Sequence, residues 1–195
     1  MELIHYSGVP GSGITSLCLV ECKHHLNQGD RVFWISGKNL DPERFSQIMN
    51  DLSISNASKF HLMKFNKEQI KLDFETIILQ VTNMCNVLKS TRLIVIDDWD
   101  YSMERYEKSG RIESISRLVD CCSKNDIKLI ITSKGYDSHE GELNKLIARS
   151  SNELSKIGFE NNIVCKSAEG GTYSIINPKH TINYKIIQNG IEFIQ

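Results

Sequence analysis

The sequence predicts an α/β protein in which a mostly parallel, twisted sheet is flanked by helices and extended at its C-terminal end by an antiparallel hairpin. Up to about residue 135, short apolar segments alternate with amphipathic ones, which is typical of an open parallel sheet. After Gly158 the segments become short and surround turns such as residues 169–171, which favours antiparallel pairing. A glycine-rich turn between the first strand and the first helix is the third observation.

Helices are predicted where apolar side chains recur every three to four residues. Leu17, Cys22 and Leu26 share one face of the first helix, and Gly29 is a typical stop after it. Pro42 is favoured in the first turn of a helix, so it starts the second one. The predicted helices, in order, cover residues 14–28, 42–51, 68–89 and 112–124.

Strands are predicted at short apolar runs bounded by polar residues. Leu93 to Ile96 is apolar throughout and leads into two aspartates, which is typical of a strand buried on both faces in the centre of a parallel sheet. Lys128 to Thr132 (KLIIT) has the same character. The predicted strands, in order, cover residues 3–7, 31–36, 60–65, 93–96, 128–132, 162–166, 172–176 and 184–187.

Composition limits the class of protein. The chain has 195 residues, 40% of them apolar, so we predict a single domain over residues 1–195. The formal net charge of −1 excludes a strongly basic nucleic-acid binder, although it permits a local basic patch. The sequence has no basic start followed by an apolar stretch, and no apolar run approaches the roughly 20 residues of a membrane span. We therefore expect a cytoplasmic protein whose six cysteines are free thiols.

The first turn, Gly8 to Thr15 (GVPGSGIT), has the spacing of a phosphate-binding loop. Glycines let successive backbone N–H groups curl around a phosphate, and the N-terminus of the following helix adds a positive dipole. Thr15 is placed to bind Mg²⁺, and Asp97, at the end of a buried strand, is its expected partner. Ile14 occupies the position of the usual phosphate-binding lysine. The alternative is a structural glycine turn beside a coincidental buried strand.

Two lysines are candidates to replace the missing charge. Lys38 and Lys134 follow parallel strands, at the sheet edge where ligands bind in such folds. Asp98, beside Asp97, is a candidate substitute base. The alternative is that both lysines are solvated and Asp98 caps a turn. The predicted nucleotide-site residues are Gly8, Gly11, Ser12, Gly13, Ile14, Thr15, Ser16, Lys38 and Lys134, with Thr15 and Asp97 for the metal.

Several segments, in order, resemble the RecA superfamily, in particular the archaeal RadA and RadB proteins and the KaiC-like proteins. The resemblance extends over nearly the whole chain and implies a RecA-like P-loop core that binds ATP or ADP with Mg²⁺. The segments that carry it are GVPGSGIT (8–15), WISGKNLDPER (34–44), LIVIDDWDYSMERYE (93–107), LIITSKG (129–135) and YKIIQNGI (184–191).

Departures from the family pattern fall on the nucleotide site. Alignment on Pro42-Glu43-Arg44 places Gly37 where the family has the glutamate that activates water. In the segment 129–135, Lys134 matches the family's glutamine that senses the γ-phosphate. Losing the phosphate lysine costs about 1.5–3 kcal/mol of binding, and losing the water-orienting carboxylate slows the chemical step roughly 10²- to 10⁴-fold. The sequence therefore predicts weak or lost nucleotide binding, little ATP hydrolysis and no catalytic residue.

The resemblance implies DNA-contacting loops after two central strands. The first has aromatic residues, Trp99, Tyr101 and Tyr106, among basic ones, a composition that suits base stacking and phosphate contact. The alternative is a solvated surface whose acidic residues oppose DNA. The predicted DNA-binding residues are Arg105, Lys108, Arg111, Lys145 and Arg149.

The sequence as a whole predicts a RadB-like accessory protein of recombinational DNA repair with a degenerate nucleotide site. Its expected partners are a RadA-type recombinase or another repair protein, and single-stranded DNA, with self-association left open and no membrane involved. Two alternatives stay open. One is a KaiC-like ATP-binding regulator without a DNA role, and the other is an active ATPase with rewired catalytic residues.

Overall fold

Ten strands form one sheet in the parts of the chain that our computed structural model describes, residues 1–66, 73–137, 146–167 and 170–194. The strands are β1 (Leu3–Gly8), β2 (Arg31–Ser36), β3 (Phe60–Lys64), β4 (Thr91–Asp97), β5 (Lys128–Asp137), β6 (Leu146–Ala148), β7 (Glu160–Lys166), β8 (Tyr173–Ile176), β9 (Thr181–Ile187) and β10 (Gly190–Ile194). The helices are α1 (Ile14–Asn27), α2 (Pro42–Met49), α3 (Ile54–Ala57), α4 (Phe74–Val87), α5 (Lys108–Asn125) and α6 (Ser151–Lys156), with a short 3-10 helix (Arg105–Glu107) before α5.

The sheet has the strand order β10-β9-β8-β7-β1-β5-β4-β2-β3, and β6 pairs with β5 outside this path. Strands β7, β1, β5, β4, β2 and β3 pair in parallel. Strands β8, β9 and β10 continue the sheet from β7 in antiparallel pairs. The predicted fold class is confirmed. Because the parallel strands point the same way, the segments that follow β1, β2, β4 and β5 lie along one edge of the sheet, where the candidate site is built.

Two apolar cores cover the two faces of the sheet. Fully buried strand residues alternate between them, so that Phe33 and Ile94 pack toward α4 and α5 whereas Trp34 and Val95 pack toward α1 and α2. This alternation explains why β4 is apolar on both faces, as its sequence predicts. A third, smaller cluster joins Leu17 of α1 to the C-terminal antiparallel strands.

The predicted boundaries differ from the structure at several elements. The expected helix over 68–89 begins at Phe74, because Asp73 is extended and its carboxylate accepts a hydrogen bond from the N–H of Thr76 at 2.7 Å. Residues 67–72 lie outside the described residues. The next helix starts at Lys108, four positions before the prediction, since the 3-10 helix leads directly into it. Strand β7 is parallel to β1, where we expected only antiparallel strands in this part of the chain.

The described residues include no helix that is both long and apolar enough to cross a membrane.

Candidate nucleotide and nucleic-acid sites

The loop between β1 and α1 adopts a conformation that depends on its glycines. Gly11 and Gly13 have φ angles of 79° and 81°, in the left-handed region that other residues avoid. A Cβ atom on Gly13 would lie 2.6 Å from Cδ1 of Ile186, so a side chain has no space there. A Cβ atom on Gly11 would meet no atom within 4 Å, which leaves that side of the loop open.

A cavity of about 410 Å³ lies against this loop. It brings together the loop residues 8–15, Lys38, Lys134 and Asp97, as the sequence predicts. The size of the cavity and the glycine loop beside it fit a nucleotide phosphate. The hydroxyl of Thr15 and the carboxylate of Asp97 would hold a Mg²⁺ ion bound with that phosphate. Sequence reasoning did not include several residues that also line the cavity: Asn39, Leu40, Asp41, Arg44, Thr132, Ser133 and Ile186.

Ile14 packs into the apolar core beneath the loop. Its side chain contacts two of the three apolar clusters, and its Cδ1 lies 2.9 Å from the position that a Cβ on Gly8 would take. It therefore anchors α1 to β1 and presents no charge to the cavity. Ser16, another predicted site residue, is buried and does not line the cavity; its Oγ accepts a hydrogen bond from Nε of Arg44 at 2.8 Å.

The C-terminal hairpin of β9 and β10 braces the loop. The hydroxyl of Tyr184 donates a hydrogen bond to the carbonyl of Ser12 at 2.6 Å, and both residues are buried. Arg44 donates to the carbonyls of Ile187, Gln188 and Gly190 at 3.0, 2.7 and 2.9 Å. Hydrogen bonds from within the protein therefore stabilise the loop and the start of α1. No local sequence signal identifies these contacts, because the partners lie far apart in the chain.

The two carboxyl groups at the end of β4 have different environments. The pKa of Asp97 is raised to about 6, mainly by burial and also by the neighbouring charge of Asp98, whereas the hydrogen bond from Thr132 and the charge of Lys38 lower it. Thr132 donates from Oγ1 to Asp97 at 3.0 Å and accepts from the N–H of Asp98 at 2.7 Å. A nearby divalent cation would favour the ionised form of Asp97.

The two candidate lysines differ in what surrounds them. The ammonium group of Lys38 forms an ion pair with the carboxylate of Asp98. Its Nζ also lies 5.4 Å from the centre of the Tyr101 ring. Lys134 is exposed at the cavity wall. Lys134 is thus the more accessible of the two cations, while Lys38 is already partnered.

Gly37 occupies a position where aromatic rings leave no space for a side chain. A Cβ atom there would lie 2.3 Å from Cδ1 of Tyr101 and 2.7 Å from Cε2 of Phe65. Real Cβ atoms do not approach other atoms so closely, so even alanine requires a ring to move. The two rings thus fill the space next to Gly37, the position where the sequence resemblance predicts a lost catalytic glutamate.

Arg111 is a core residue, which contradicts its predicted role in DNA contact. It is only 5% exposed and donates hydrogen bonds to the carbonyls of Trp99 and Tyr101 at 2.7 and 3.1 Å. Its guanidinium group lies 5.5 and 5.0 Å from the ring centres of Phe65 and Phe74. Trp99 is fully buried as well and offers no stacking surface to a base.

The other predicted DNA-binding residues lie nearer to the surface. Arg105 is exposed, and Lys108 forms an ion pair with Glu153 at 2.6 Å. Arg149 joins the two predicted loops, because it pairs with Asp100 at 2.8 Å and lies 4.4 Å from the ring centre of Tyr136. Tyr106 is 78% exposed. Lys145 lies outside the described residues.

Comparison with known proteins finds similarity to RadB proteins in sequence and in fold. No family model matches the chain. The DNA repair and recombination protein RadB of Thermoplasma acidophilum is 28% identical over 137 residues, which cover 66% of this chain and 56% of that protein's own length. A crystal structure of the RadB recombinase matches with a TM-score of 0.74 at 19% identity, over 100% of this chain and 91% of the other. The chain is thus similar in sequence to part of a RadB protein, and it shares its RecA-like fold with the RadB recombinase.

Proposed function

We propose that this chain is an accessory protein of recombinational DNA repair that acts by binding single-stranded DNA, a RadA-type recombinase, or both, and that hydrolyses little or no ATP. The observation that carries the proposal is the pair of residues at the two positions where the resemblance places catalytic side chains. Position 14 is a partly buried isoleucine that packs against two apolar clusters, and position 37 is a glycine enclosed by Tyr101 and Phe65. Thr15 and Asp97 still line the cavity.

The remaining residues favour weak binding of a nucleotide over its turnover. Mg²⁺ bound between Thr15, Asp97 and the phosphates would neutralise part of the phosphate charge. The loop would orient the phosphates through backbone N–H groups and the α1 dipole. Neither contribution replaces the carboxylate that orients water in a hydrolytic site, because Gly37 carries no side chain.

The proposed DNA-binding surface lies on the same sheet edge as the cavity. It comprises Tyr101, Arg105, Tyr106, Lys108, Lys134, Tyr136 and Arg149, which combine exposed aromatic rings with basic groups. Bases stack on aromatic rings with about 1–3 kcal/mol each, whatever their sequence. Both proposed DNA loops are tied together by the Arg149–Asp100 ion pair, so a single strand would meet them as one surface.

Hydrolysis is tested with the purified chain at saturating Mg-ATP. We expect background turnover for the natural sequence. Ile14→Lys is expected to raise nucleotide affinity without restoring turnover, because position 37 still lacks its carboxylate. Turnover of about 1 s⁻¹ or more, an ordinary enzyme rate, would contradict the proposal and favour an active ATPase with rewired residues.

DNA binding is tested by fluorescence anisotropy with a labelled single strand at moderate salt, with and without ATP. We expect binding that does not require ATP. Absence of binding to both single-stranded DNA and a RadA-type recombinase, together with clear ATP binding, would contradict the proposal and favour the KaiC-like regulator.

A further inference from the structure

Lys38 and Asp98 meet across the cavity wall. They follow neighbouring parallel strands, since Ser36 of β2 is paired with Asp97 of β4. Both residues line the cavity, and their side chains form an ion pair. The carboxylate of Asp98 is 18% exposed and the Lys38 side chain 40%, so the pair lies at the boundary between protein and cavity.

The backbone of Asp98 is fixed in an unusual conformation. Its φ angle is 54°, in the left-handed region that is uncommon outside glycine, although asparagine and aspartate adopt it more often than other residues. Three hydrogen bonds hold it there. Its N–H donates to Thr132 Oγ1 at 2.7 Å, its carbonyl accepts from the N–H of Tyr101 at 2.8 Å, and the next N–H, of Trp99, donates to the Thr132 carbonyl at 3.0 Å. Because such conformations persist only when the surroundings enforce them, the carboxylate is held firmly in place.

The remaining basic groups of the cavity differ from Lys38. Arg44 is committed to the carbonyls of the β9–β10 turn and to Ser16. Lys134 is exposed, so water solvates its charge. Lys38 is the cavity cation whose charge a carboxylate already neutralises. A phosphate that enters the cavity competes with Asp98 for the charge of this cation.

We propose that Asp98 and Lys38 form a latch that lowers the affinity of the cavity for phosphate groups, and that a bound nucleotide opens the latch by taking Lys38 from Asp98. This inference deepens the proposed function and rests on it, since it assumes a weak but retained nucleotide site. It assigns the weak binding of phosphate groups to two causes. One is the missing lysine at position 14, and the other is the ion pair that occupies Lys38.

The test measures ADP binding by calorimetry without Mg²⁺, so that metal binding by the carboxylates does not interfere. Asp98→Asn removes the ion pair and suits the left-handed backbone. We expect this variant to bind ADP about tenfold more tightly than the natural chain, as one charge-assisted contact becomes available. Asp98→Gly, which also adopts this conformation freely, is a second variant in case the amide makes new contacts.

Two controls separate the latch from a general charge effect. Asp41→Asn removes another carboxylate from the same cavity and keeps an N-cap side chain on α2, so it reports the loss of negative charge alone. Lys38→Met removes the latched cation. In the Lys38→Met background, Asp98→Asn should tighten ADP binding no more than Asp41→Asn does.

Equal gains from Asp98→Asn with and without Lys38 would overturn the latch, because charge alone would explain them. An unchanged dissociation constant in both Asp98 variants would overturn it too. So would the absence of heat with millimolar ADP in these variants, since a released Lys38 would then create no phosphate site. Single-stranded DNA binding, measured on the same proteins, tests the proposed function separately.

Discussion

The burial of single side chains changes the pKa values of groups that line the cavity. Asp97 shows this, since its carboxyl group has a pKa of about 6 in the folded chain, against 3.8 in an unperturbed one. A carboxyl group whose pKa is higher in the folded state favours folding when it is protonated. This contribution is complete below about pH 4 and is lost as the pH rises through 6.

Asp97→Asn should therefore stabilise the protein at pH 8, where the natural residue is ionised and buried. We expect a gain of about 3 kcal/mol in the free energy of unfolding at pH 8 without Mg²⁺, which decreases toward zero at pH 4. Urea denaturation at both pH values measures it. A gain that is the same at pH 4 and pH 8 would show that the ionisation of Asp97 is not its cause.

Gly37 provides a second test at this scale. Gly37→Ala should destabilise the protein by about 1–3 kcal/mol, because the new methyl group displaces the rings of Tyr101 and Phe65. Gly170→Ala is the matched control, since a Cβ there meets no atom within 4 Å and should change stability little. Gly37→Glu should be less stable still and should not restore ATP hydrolysis. Equal stability of the two alanine variants, measured by thermal unfolding, would contradict the packing argument.

At the scale of elements, the hairpin of β9 and β10 supports the glycine loop between β1 and α1 from outside. Its Tyr184 reaches the Ser12 carbonyl, and its Ile186 covers Gly13. These contacts give the loop a defined shape that owes nothing to a ligand. The loop should therefore bind phosphate, when it does, with little reorganisation of its own backbone.

Tyr184→Phe should loosen the loop, because it leaves the buried Ser12 carbonyl without its hydrogen bond. We expect a loss of about 1–3 kcal/mol in stability and faster hydrogen exchange at the amides of residues 12–15. Tyr106→Phe removes a hydroxyl from a side chain that is 78% exposed and should change neither quantity. Unchanged exchange in Tyr184→Phe would mean that the hairpin does not support the loop.

The parts of the fold and site that the sequence predicts are those with a local or periodic signal. Apolar runs locate β4 and β5, and their shared direction places Asp97, Lys38 and the glycine loop at one edge. The burial of Arg111 could not be predicted from the sequence. It depends on the start of α5 at Lys108 and on packing against Phe65 and Phe74. The hydrogen bonds of Arg44 to the β9–β10 turn and of Tyr184 to Ser12 could not be predicted either, because their partners lie more than 140 residues away in the chain.

At the scale of the whole molecule, the sheet places the candidate nucleotide cavity and the proposed DNA surface on one edge. The surface is not strongly basic, so its affinity for DNA depends on a few lysines and arginines and on stacking. The burial of Arg111 divides the basic residues of this region into two classes. Arg105 and Lys108 can meet phosphates, whereas Arg111 stabilises the fold.

Arg105→Ala combined with Lys108→Ala should weaken single-strand binding and make it less dependent on salt. Each lost phosphate contact lowers the slope of log K against log salt by about 0.7, so we expect a decrease of about 1.4 for two contacts. Arg117→Ala, on an exposed part of α5, is the control and should leave the slope unchanged. An unchanged slope in the double variant would mean that DNA is bound elsewhere.

Arg111→Ala belongs to a separate experiment and should lower stability, since it removes hydrogen bonds to two carbonyls and two ring contacts. DNA binding by the folded fraction of this variant should keep its salt dependence.

The contact between Tyr184 and Ser12 also has a consequence for biosynthesis. These residues are 172 positions apart, and β1 itself pairs with β5 and β7, which come much later in the chain. The glycine loop therefore leaves the ribosome well before the segments that become its native neighbours. Contacts of such long sequence separation slow folding. A nascent chain can form local helices early, but it cannot complete the native contacts of the glycine loop until the hairpin of β9 and β10 has been synthesised.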